Sequence, residues 1–219
     1  MNSPMLNLLV LLGIAVFLII RLKSVLGTRD GFETPPQPKP GPVPSRRRGF
    51  EVIDGGPDRD ITDHIGEDTE AAAALAEMKR IESGFNLTEF LGGAKGAYEM
   101  ILMAFERGKM GEITPFLSSD VFEVFSQVVD DREAKGLSVE ATFVGVRELT
   151  LMDARFDQAS GRAEIDIKFI GELTSVVRDK DDKIVEGAPD QARRQKDIWT
   201  FERIMGSDDP NWRLVATGE

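Results

Sequence analysis

The chain has 219 residues, with 27 Lys and Arg against 38 Asp and Glu for a formal net charge of -11, one histidine and no cysteine. The lack of cysteine excludes disulfides, thiolate metal sites and cysteine nucleophiles, and the length suits one special-purpose segment plus one domain with a real core. The charge is uneven: residues 21–50 carry seven basic and two acidic side chains, whereas residues 51–219 hold 20 basic against 36 acidic, a net of -16. So acidic a body repels phosphate backbones, which argues against nucleic acid as a partner.

Met1 to Ile20 contains no charged side chain. A helix of that length spans roughly 30 Å, the hydrocarbon thickness of a bilayer, so residues 1–27 are expected to be a transmembrane anchor with its basic flank. A cleaved signal peptide fits worse, since nothing basic precedes the run and no small-residue cleavage site follows it. Arg21, Lys23 and Arg29 lie just beyond the run. Because Lys and Arg stay on the cytoplasmic side, the N-terminus is expected outside and the body in the cytoplasm, on a single-pass inner-membrane protein.

Residues 28–67 read as a disordered spacer. Thr34 to Pro44 holds six of the eleven prolines, which favours extended polyproline II at roughly 3.1 Å per residue. His64 lies in this stretch among polar neighbours, and the sequence supplies no partners for a metal or catalytic role.

A folded domain is expected over 68–219. Asp68 to Ile81 is rich in helix formers, acids first and bases last, with Leu75, Met78 and Ile81 on its apolar face. Between Asn86 and Gly108, Phe90, Ala94, Ala97, Ile101 and Phe105 recur at helical spacing, widened by Leu91, Tyr98 and Leu102. A third helix is predicted from Ser119 to Lys135, with Val121, Phe122, Phe125, Val128 and Val129 inward.

After Gly136 the period changes to two. Glu140 to Met152 reads as a strand, and Arg162 to Phe169 alternates charged and apolar residues, continuing through Leu173 and Val177 to a turn at Asp179 to Asp182. Asp197 to Ile204 and Trp212 to Thr217 form a hairpin closed by Gly206 to Asn211. Helices followed by strands, without βαβ alternation, predict an α+β domain with helices covering one face of a curved antiparallel sheet. Where such a sheet curls, a pocket is expected, lined by Phe143, Phe169, Leu173, Trp199 and Phe201, with Tyr98 from the helix.

Five blocks carry a family resemblance: Gly93 to Ile101, Arg132 to Gly136, Phe143 to Gly145, Asp197 to Arg203 and Asp209 to Thr217. In order, they resemble the Tim44-like domain, found at the C-terminal end of the membrane anchor of the mitochondrial import motor. The layout of helix, spacer and domain is most similar to a bacterial branch of that family. The resemblance implies a cone similar to nuclear-transport-factor-two-like (NTF2-like) folds with a large apolar pocket, and association with membrane lipid and a translocation channel. The long polar half with which the mitochondrial relatives recruit their motor has no counterpart here, so that role does not carry over.

The matching blocks contain no catalytic residues, and neither a metal nor a cofactor is expected. Glu202 and Arg203 read as a sheet-surface ion pair, and Trp199 and Trp212 as core or hairpin anchors. The expected function is a membrane-anchored adaptor at the cytoplasmic face of the inner membrane, linked to protein translocation or membrane-protein assembly. Its pocket would take a lipid or acyl chain or a segment of a protein partner. The alternative is an NTF2-like pocket enzyme of isomerase or dehydratase type, working with carboxylates and Tyr98, the only tyrosine. A carboxylate without a partner in the pocket would favour the enzyme, and a uniformly apolar pocket the adaptor.

Overall fold

The computed structural model describes residues 58–218. The expected anchor, with Arg21, Lys23 and Arg29, and most of the spacer lie outside them. Among the described residues no helix is long and apolar enough to cross a membrane.

Structure begins earlier than the sequence predicts. A four-residue helix, α1 (Arg59–Thr62), buries Ile61 to 4 % exposure, so ordered structure is present ahead of Asp68. Three longer helices follow, each opened by a side chain that accepts an otherwise unpaired amide. Thr69 caps α2 (Glu70–Ile81), Asn86 caps α3 (Leu87–Glu106), and Ser118 caps α5 (Ser119–Ala134). Between the last two lie α4 (Met110–Ile113) and a 3-10 turn (Thr114–Phe116). Gly108, at φ 69°, supplies the left-handed residue that stops α3.

The apolar stripes hold with local exceptions. Leu75 and Met78 of α2 are fully buried, whereas Ile81 in its last turn is 47 % exposed. On α5, Val121 and Val129 are buried, Phe122 and Phe125 half-buried, and Val128 faces out.

Five strands form one antiparallel sheet: β1 (Ser138–Asp157), β2 (Arg162–Arg178), β3 (Ile184–Gly187), β4 (Arg193–Ile204) and β5 (Arg213–Gly218). The order is β1-β2-β4-β5, with β3 paired to the end of β2 beyond the reach of β4. Ala163, Ile165, Ile167 and Phe169 are fully buried on the inner face. On the other face Arg155 bridges Asp153, Glu164 and Asp166, and Lys168 meets Glu148, so the charged half of the alternation pairs across strands. β1 is longer than expected because its register with β2 shifts three times, between Phe143 and Gly145, Val146 and Glu148, and Leu151 and Asp153. Each shift adds one residue to β1 and resets the alternation that marks a strand in sequence.

Candidate functional site

The six residues expected to line a pocket are drawn together, but mostly as solid core. Tyr98 on α3 stacks on Phe169 of β2, with ring centres 4.4 Å apart and planes 9° apart. Trp199 of β4 lies 4.7 Å from the Tyr98 ring, and Phe201 lies 6.2 Å from Trp199. Tyr98, Phe169, Leu173, Trp199 and Phe201 are each at most 4 % exposed. The rings among them pack against one another under the sheet, and none of the five lines either of the clefts described below. Phe143 differs: it is half-buried, 6.1 Å from Tyr98, with another side on a surface cleft.

Inside the ring cluster sits a buried carboxylate that the sequence reading placed only at the start of a strand. Asp197 pairs with Phe169 in the β2–β4 register and is 8 % exposed. Tyr98 donates its hydroxyl to Asp197 Oδ2 at 2.5 Å, and Gln195 Nε2 donates to Oδ1 at 3.0 Å. Burial, and then the Asp197 carboxylate, hold the Tyr98 phenol far above its ordinary value. Gly171 makes the arrangement possible, because a Cβ at that position would sit 2.5 Å from the Tyr98 oxygen.

Two further charged clusters hold the elements around this core. Glu202 and Arg203 do not pair with each other as expected, since neighbours on a strand point to opposite faces. Glu202 reaches Arg162 at 3.6 Å, while Arg203, with its side chain 9 % exposed, grips Glu82 after α2 through two bonds of 2.9 and 2.7 Å. Asp60 of α1 accepts the amides of Leu87 and Thr88 at 2.7 and 2.9 Å, the Thr88 hydroxyl at 2.7 Å, and Lys79 Nζ at 2.8 Å. Burial alone would raise the Asp60 carboxyl, but Lys79 and the donors of Leu87 and Thr88 outweigh it and hold the group well below the usual carboxylate range. His64 is exposed, with Nε2 3.2 Å from Thr88 Oγ1.

Two surface clefts lie along the start of β1. One cleft of about 340 Å³ runs between the second half of α3 and β1, walled by Met100, Met103, Arg107, Thr142 and Phe143. A second, of about 380 Å³, continues past the shared residues Arg107 and Thr142 along Val139, Glu140, Thr174 and Pro189. Nearby, Glu106 is pushed up by burial, only partly offset by Arg132, whose Nη1 stays 4.0 Å from its carboxylate. These clefts carry apolar, acidic and basic groups side by side, with neither a buried nucleophile nor a preorganised acid and base. Among the described residues no cluster of three or more His, Asp or Glu side chains could hold a metal ion. Of the residues expected to line a pocket, Phe143 is the one that borders a cleft.

Three comparisons relate the chain to known proteins. The family model described as the Tim44-like domain matches residues 71–219. Among solved structures, the crystal structure of the intermembrane space region of the chloroplast protein ARC6 matches at 13 % identity and a TM-score of 0.40, covering 68 % of this chain and 95 % of that one. A search of curated proteins gives no significant match.

Proposed function

Because the chain belongs to the Tim44-like domain family, we propose that it acts as a membrane-tethered adaptor in protein transport or membrane-protein assembly. Its domain, which we read as a cone of the NTF2-like type, is held at the cytoplasmic face of the inner membrane by the apolar run Met1 to Ile20. The observation that carries this reading is the extent of the family match, which takes in nearly all of the folded part. The basic segment 21–50 supports the orientation, since it keeps the acidic domain on the positive side of the anchor.

Binding falls to the clefts beside β1, because the rings that would line an interior pocket fill one another's space. The enzyme reading loses its main support for the same reason. Asp197, the carboxylate among those rings, is bonded to Tyr98 and Gln195 and lines neither cleft.

The test uses the full-length chain in its native membrane, with a proximity label fused after Glu219. Retention through carbonate extraction, and labelling of cytoplasmic-side proteins above a soluble control, are expected. Release by carbonate, or labelling no richer than the control, would overturn the proposal.

A further inference from the structure

The two outer edges of the sheet are finished differently. The β5 edge is covered, because Leu117 bridges in parallel to Leu214 and the Ser118 amide donates to the Leu214 carbonyl at 2.9 Å. The outer edge of β1 has no such cover: among the described residues no other strand pairs with it and no backbone hydrogen bond reaches it. An open edge of this kind is a template for any extended chain unless something blunts it.

Most of β1 is blunted. The residues inserted at its three register shifts are Val144, Arg147 and Met152, all on the surface, and each bulge breaks the even row of amides and carbonyls. One stretch escapes. Ser138 to Phe143 pairs residue for residue with Leu173 to Arg178 and contains no shift. Residues of this stretch line both clefts, and Met100, Met103 and Phe143 stand together in the wall of one of them.

We propose that Ser138 to Phe143 is a strand-addition site for an extended segment of a partner protein that alternates apolar and basic residues. Main-chain bonds to the β1 edge would supply affinity, and the cleft would choose the side chains. Basic residues are called for by charge. The cleft walls include Glu99, Glu112 and Glu140 against Arg107, and although Lys109 and Arg178 engage two of these acids from the side, Glu140 keeps a side-chain exposure of 69 %. Around them residues 51–219 carry a net of -16, which draws cationic chains at long range. The same charge disfavours a second copy, whose antiparallel pairing would press two acidic domains together and bring Glu140 close to its own twin.

The proposal rests on the adaptor reading and names its partner class. The probe is a nine-residue fluorescent peptide alternating Lys and Val, added to the full-length chain in lipid nanodiscs and followed by anisotropy and hydrogen exchange. Saturable binding is expected, with new protection of Ser138 to Phe143. N-methylation of alternate peptide amides should weaken binding at least tenfold, replacement of Lys by Glu should abolish it, and Glu99→Lys in the protein should weaken it several-fold. Equal binding of the N-methylated peptide, or protection confined to other segments, would overturn the proposal. So would protection of Ser138 to Phe143 that rises with protein concentration in the absence of peptide, which would make a second copy the occupant. If the peptide fails while proximity labelling in native membranes still marks partners, strand addition falls and the adaptor reading stands.

Discussion

The centre of the sheet and the start of β1 are served by the same helix and end up opposite in character. In the middle of α3, Tyr98 is fully buried among Phe169 and Trp199, with every polar atom of its phenol engaged; two residues on, Met100 is 38 % exposed and faces a cleft. The difference shows how a domain can keep a rigid interior and still offer a changeable surface. Stability is concentrated where rings interlock, and the residues free to meet a partner contribute little to it.

The sharpest way to break the closed half is Gly171→Ala. The added methyl group would meet the Tyr98 phenol, which cannot retreat from its stack on Phe169, so a loss of about 3 kcal/mol is expected in denaturation of the full-length chain followed by tryptophan fluorescence. Tyr98→Phe should cost about 2 kcal/mol by leaving Asp197 short of a donor. Because it also removes the atom nearest the new methyl, the double variant should lose less than the two single losses combined. Full additivity would mean that the ring and the glycine do not meet as described.

Asp60→Asn tests the clamp between α1 and α3, with an expected loss of about 2 kcal/mol at pH 7. The Asp60 carboxyl is depressed in the fold, so its contribution is present above the ordinary value of 3.8 and drains away as the pH falls through and below it. Wild type should therefore lose stability between about pH 5 and pH 2 more steeply than the variant, and the two curves should converge in acid. Parallel curves would show that the charge is not what holds the clamp.

The smallest effect belongs to the open end and has the opposite sign. Glu106 is raised, chiefly by burial, so its charged form is disfavoured in the fold, and stability falls as the pH rises past its ordinary 4.5. Glu106→Gln should therefore be stabilising at pH 7 and neutral near pH 4, read from denaturation curves at the two pH values. A loss at pH 7 would mean that the 4.0 Å pairing with Arg132 outweighs burial.

What could be read from the sequence follows the same division. The helices and the alternation of β2 were legible because burying one face imposes a period, and Thr69, Asn86 and Ser118 mark the helix starts by local chemistry. Helix α1 was not legible, since four residues with one buried Ile61 have no period, and Asp60 works on amides 27 and 28 residues away. The length of β1 was hidden by its bulges. Whether large side chains surround a space or fill it depends on distances that no pattern of residue types records. Asp197 was missed because a carboxylate at a strand start reads as surface, and only Tyr98, 99 residues away, makes it interior.

The first register shift of β1 also sets a clock. It comes right after Phe143, so an incoming strand can form hydrogen bonds along only six residues, and on one edge only every second residue offers its pair of groups. Six bonds worth roughly 1 kcal/mol each, less the cost of ordering the guest, would leave a main-chain affinity weaker than about 40 micromolar. At an ordinary association rate such a guest departs within about a second. A smooth twenty-residue strand would hold such a guest far longer; the kinked one would let go and be ready for the next.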